Sequence, residues 1–152
     1  MSIIFDITEA RVPMSFREKS AWISFVSILL VFGIYFVSVN HELGGRVEFS
    51  AAYRVTVGLI LAFVLLEIVL HVAVAIQAPG EALAPRDERE RLIEMRATGV
   101  AFQVLVIGAL ISSGLMYVTN NAWTLGQHVL LAVAVAELVK FGGQIVFYRR
   151  SA

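Results

Sequence analysis

Two carboxylic acids stand inside long apolar runs, Glu67 in AFVLLEIVLHVAVAI (62–76) and Glu137 in LAVAVAELVKFGGQ (131–144). Each is followed by a base at helical spacing: His71 four residues after Glu67, and Lys140 three residues after Glu137. Residues three and four apart share one face of an α-helix, so each acid meets its own base. A carboxylate beside an imidazole can take up and release a proton near neutral pH. A carboxylate beside an ammonium forms an ion pair or part of a cation site. Gln144 extends the face of Glu137 and Lys140, and Gln103 is expected to enter a neighbouring layer from another helix. Glu67, Glu137 and Lys140 together carry a charge of minus one, which a proton on His71 or on one glutamate would neutralise.

The elements that hold these groups follow from charge spacing. The chain has 152 residues, 59% hydrophobic and 16% charged, with a mean hydropathy of +0.81. Soluble domains carry roughly 25% charged residues. No Asp, Glu, Lys or Arg occurs from Ser20 to Asn40 or from Ala97 to Ala136. A helix of about 20 apolar residues crosses a bilayer, so the chain reads as an all-α polytopic membrane protein in one domain. Four transmembrane helices are expected at about 20–39, 51–77, 97–118 and 123–148, packed as a bundle because backbone polar groups in lipid must be satisfied within helices. Gly44-Gly45 turns the first hairpin, Pro79-Gly80 ends the second helix, and TNNAW turns the last. Trp22, Tyr53, Tyr117, Trp123 and Tyr148 fall near span ends, where amphipathic rings favour the headgroup layer.

Basic residues set the orientation. Arg11, Arg17, Lys19, Arg86, Arg89, Arg91, Arg96, Arg149 and Arg150 fall on one side, against Arg46 and Arg54 on the other. Positive charge stays inside, so both termini and the connector 79–96 are expected in the cytoplasm. The first apolar run is too long for a signal-peptide core and lacks a small-x-small cleavage site after it, so it is read as a retained helix. Acidic and basic side chains cancel, twelve against twelve, which argues against nucleic acid as a partner. Cysteine is absent.

At mid-bilayer a charged side chain costs about 2.5–3.5 kcal/mol on insertion scales, so such groups turn inward and pair. The second and fourth helices both run inward, and each glutamate lies 14 residues past an aromatic anchor, Tyr53 or Trp123. That is roughly 21 Å at the helical rise, so both acids are expected in one layer joining these two helices. The layer can be a structural knot, since interhelical polar contacts in lipid average about 0.6 kcal/mol, or a relay for protons or cations. No nucleophile motif and no H-E-x-x-H zinc signature accompanies it, so the expected protein is non-enzymatic and needs neither metal nor cofactor. His71 lies towards the cytoplasmic side and His128 towards the outer side, so they cannot share a haem. His41, beside Glu42, reads as a solvated loop residue.

Three further segments have two readings each. In PRDERERLIEMR the pairs Arg86 with Glu90 and Asp87 with Arg91 have helical spacing. The segment extends the third helix into the cytoplasm, or else Arg86, Asp87, Glu88, Arg89, Glu90, Arg91 and Glu94 dock a soluble partner. Gly108 and Ser112 permit close helix approach, as do Gly142-Gly143, either within the chain or in a homodimer. Ile3, Ile4 and Ile7 share a face that fits the membrane surface or a simple tail.

The stretches MSFREKSAW, DERERLIEMRATG and AELVKFGGQIVFYRR together resemble an uncharacterised family of small four-helix bacterial membrane proteins. The resemblance runs from Met14 to Arg150 and departs at the segment from Met1 to Pro13, which leaves Met14 as an alternative start. It implies the bacterial cytoplasmic membrane, and often a neighbouring gene for a small helix-turn-helix regulator. It brings no catalytic residue. The expectation is a regulatory, stress-related or protective membrane component, with a small proton- or cation-linked transporter or channel as the alternative.

Overall fold

The computed structural model describes residues 14–42, 49–85 and 87–150. The segment of Ile3, Ile4 and Ile7, the Gly44-Gly45 turn, Arg46, Arg86 and the side chain of His41 lie outside them. The described chain forms α1 (Phe16–Glu42), α2 (Phe49–Gln77), α3 (Pro79–Leu83), α4 (Glu88–Thr119) and α5 (Ala122–Arg150). Four of these, α1, α2, α4 and α5, are long and apolar enough to cross a membrane.

Local chemistry sets the boundaries. The Ser15 hydroxyl accepts from the Glu18 N–H at 3.2 Å and starts α1, satisfying a donor that the helix itself leaves unpaired. Pro79 ends α2 and opens the single-turn α3. Asp87 caps α4, accepting from the Glu88 N–H at 2.7 Å, while Glu90 reaches back to the Asp87 N–H at 3.3 Å. Residues 88–96 are therefore the first turns of α4 rather than a separate segment. At the far end Asn120 takes the left-handed conformation (φ 47°), its N–H bonded to the Met116 carbonyl at 2.8 Å. The next residue, Asn121, accepts from the Trp123 N–H at 2.9 Å, so two asparagines turn α4 into α5.

The core is built by α5 between α1 and α4. Ala21, Ser24, Ile28, Phe32 and Tyr35 form the buried stripe of α1, and Ile28 and Phe32 pack on Ala134 of α5. Against α4 the approach is closer still. A Cβ placed on Gly108 would come within 2.6 Å of the Ala132 Cβ. Ser112, one turn on, is buried and donates to the Gly108 carbonyl at 2.7 Å. This small-residue pair thus serves contact within the chain. On the inner half of α5 the paired glycines divide their task, Gly142 facing Phe25 of α1 and Gly143 facing Ala97 of α4. Lipid tails are as apolar as leucine, so such close packing holds helices together where water would otherwise drive them.

The second span, α2, departs from an even bundle. It leans on α1 through Leu59 and Phe63, and none of its central span is buried inside the chain. One end of the bundle is tied by charge. Arg17 Nε sits 2.6 Å from Glu90 Oε2, Arg17 also donates to the Ala84 carbonyl at 3.1 Å, and Arg149 lies 3.6 Å from Glu18. These contacts gather the start of α1, the connector and the end of α5.

Candidate functional site

One turn of α2 places His71 over Glu67, and the His71 Nδ1 lies 2.8 Å from the Glu67 carbonyl oxygen. The bonds that leave α2 go to α1. The Ser24 hydroxyl donates to Glu67 Oε2 at 2.9 Å, and the same hydroxyl oxygen lies 3.3 Å from His71 Nε2. Ser24 is 1% exposed. The other carboxyl oxygen, Glu67 Oε1, is buried and has no hydrogen-bond partner among the described residues.

Donor counting gives the two ways in which all of these contacts can be hydrogen bonds at once. A carbonyl only accepts, so His71 Nδ1 carries a hydrogen. Ser24 has one hydrogen. When it goes to Glu67, His71 Nε2 must donate to Ser24, and the imidazole is a cation beside a carboxylate. When Ser24 instead turns its hydrogen to Nε2, the acid must carry a proton and donate to Ser24. Both arrangements are neutral, and they differ by the passage of one proton through the hydroxyl.

The second pair closes on itself. Lys140 Nζ lies 3.0 Å from Glu137 Oε2 and 4.8 Å from the centre of the Phe141 ring. The hydrogen bonds of the two pairs run along other lines than from the second span to the fourth: Glu67 of α2 bonds to Ser24 of α1, and Lys140 bonds to Glu137 on its own helix, α5. The two pairs approach through a cleft of about 400 Å³ whose walls include Arg17, His71, Glu90, Glu94, Lys140 and Gln144. Gln144 therefore stands where its spacing placed it, beside Lys140. Gln103 does not. The buried face of α4 runs through Ile93, Ala97, Ala101 and Ser112, and Gln103, about 200° round from Ala101 at 100° per residue, lies on the exposed face.

In the connector, Asp87 is spent as a cap, Glu90 pairs with Arg17, and Glu94 turns to the cleft. Glu88, Arg89 and Arg91 are exposed. Among the described residues no group of three or more His, Cys, Asp or Glu side chains is gathered as a metal site. His128 bonds the Thr124 carbonyl at 2.7 Å, on a different part of α5 from the cleft.

A second polar knot escaped the reading of charges. Tyr35 of α1, 5% exposed, lies 2.6 Å from Thr56 Oγ1 of α2 and accepts from Gln127 Nε2 of α5 at 2.9 Å. It joins three helices at the end opposite the cleft. Hydroxyls and amides inside apolar runs were its only signal, as for Ser24.

No curated protein and no solved structure matches the chain. A family match covers residues 17–152, taking in every described group of both polar sites. By this match the chain belongs to the predicted membrane protein family DUF2178.

Proposed function

We propose that this integral membrane protein is a non-enzymatic component of the bacterial cytoplasmic membrane, regulatory, stress-related or protective in role, whose ionisable groups fasten its helices. One observation carries this reading: each acid within the spans has a partner from its own chain, Glu67 in Ser24 and Glu137 in Lys140. Such pairs give modest stability but a specific register. Both termini face the cytoplasm in this reading, on the strength of nine basic residues against two. A reporter fused after Ala152 is expected to be active in its cytoplasmic form and one inserted at Gly44-Gly45 in its external form. The reverse pattern would invert the orientation.

A second reading is favoured by the Ser24–Glu67–His71 triad. Its imidazole faces the cleft and its proton has two positions related by one hydroxyl, which suits proton-linked transport. Glu67→Gln and Glu137→Gln separate the two readings, because an amide keeps the shape and the hydrogen bonds but cannot titrate. A fastener predicts no proton flux above that of empty vesicles in wild-type proteoliposomes, and variant melting temperatures within a few degrees of wild type. Wild-type flux that Glu67→Gln abolishes while melting is unchanged would replace the fastener by the relay.

A further inference from the structure

The start of α4 sorts its charges onto two faces. Glu90 and Glu94 look into the cleft, while Arg89 and Arg96 line a separate groove of about 300 Å³ against the end of α5. The two C-terminal arginines divide in the same way. Arg149 turns to Glu18 and the Trp22 ring of α1, and Arg150 lines the groove. The remaining lining is Leu92, Ile93 and Phe147, so among the described residues the groove presents three guanidinium groups over an apolar floor.

Its depth is set by the sequence. Arg96 immediately precedes the uncharged stretch that opens at Ala97, and Arg150 is the last residue of α5. Arg89 and Arg96 are seven residues apart, or about 10 Å along the helix, comparable to a headgroup layer of roughly 5–7 Å on each side of the hydrocarbon once the length of the side chains is added. Guanidinium groups match phosphate oxygens in pairs, and basic pockets between spans on the inner side suit anionic headgroups.

We infer that this groove between α4 and α5 seats the headgroup of an anionic phospholipid. The phosphate meets Arg89, Arg96 and Arg150, and the glycerol and upper acyl chains lie on Leu92, Ile93 and Phe147. The apolar floor selects a lipid over free phosphate, which has no use for it.

The test uses the full chain purified in neutral detergent, with phosphatidylglycerol, phosphatidylcholine or inorganic phosphate added. Phosphatidylglycerol is expected to raise the melting temperature and to stay bound in native mass spectrometry, with phosphatidylcholine and inorganic phosphate having little effect. The triple variant Arg89→Gln, Arg96→Gln, Arg150→Gln is expected to bind phosphatidylglycerol on the order of a hundredfold more weakly, and Arg150→Gln alone, at the chain end, severalfold. Arg91→Gln, an exposed position on another face of α4, is expected to bind as wild type does. Equal effects of the two lipids, or unchanged binding by the arginine variants, would overturn the proposal. Stabilisation by inorganic phosphate equal to that by phosphatidylglycerol would overturn it in favour of a free-anion site.

Discussion

Lys140→Met is expected to lower the melting temperature more than any other single change among the ionisable groups of the spans. Lys140 is the basic residue within bonding reach of Glu137, at 3.0 Å, and the two share one helix, so removing the ammonium leaves the acid in place beside a thioether. An unpaired charge at membrane depth costs about 2.5–3.5 kcal/mol, which at 2–4 °C per kcal/mol is a drop of roughly 5–14 °C. The reverse substitution is milder. In Glu137→Gln the ammonium still lies over the Phe141 ring and faces the polar cleft beside Gln144, where water can reach it. Joining Glu137→Gln to Lys140→Met is therefore expected to restore most of the lost stability, since no charge remains to be paired. Additive losses in the double variant would show that the two side chains are not coupled.

Gly108→Leu is expected to separate α4 from α5. Even a methyl group at this position would come within 2.6 Å of the Ala132 Cβ, well inside contact distance. Overpacking of this kind costs about 1–3 kcal/mol for added methylenes in a filled core. Here the loss extends further, because the helices must move apart along the whole seam that buries Ser112, Ala101 and Ala97. Gly108→Ala is the graded version, and Ala132→Gly in the same chain is expected to relieve it by emptying the facing position. Melting in detergent reads all three. A Gly108→Leu protein that melts with wild type would mean that this seam does not hold the hairpin, and that the small residues are available to a second copy.

The alternating charges of residues 87–94 illustrate how far pattern reading reaches. The sequence D-x-x-E at 87–90 is a capping-box pattern, and in the structure it serves as one, so a helix start eight residues before Arg96 was there to be read. That Glu90 also clasps Arg17 was not, because the partner is 73 positions away and no local rule links them.

By itself the sequence determined the four helices able to cross a membrane, since long apolar runs with at most a few charges have few other stable states. It also determined the two acid–base pairs, because three- and four-residue spacing on one helix leaves little geometric freedom. Tertiary structure alone decided which way each helix faces. In lipid both the buried and the outward stripe of a span are apolar, so hydropathy carries no mark of the inside, and Gln103 falls outward while Gln144 falls at the cleft. Packing decided it instead: Gly108 drew α4 onto Ala132, α1 came to rest on Ala134, and Ser24 thereby met Glu67 and His71 across 43 and 47 residues of chain.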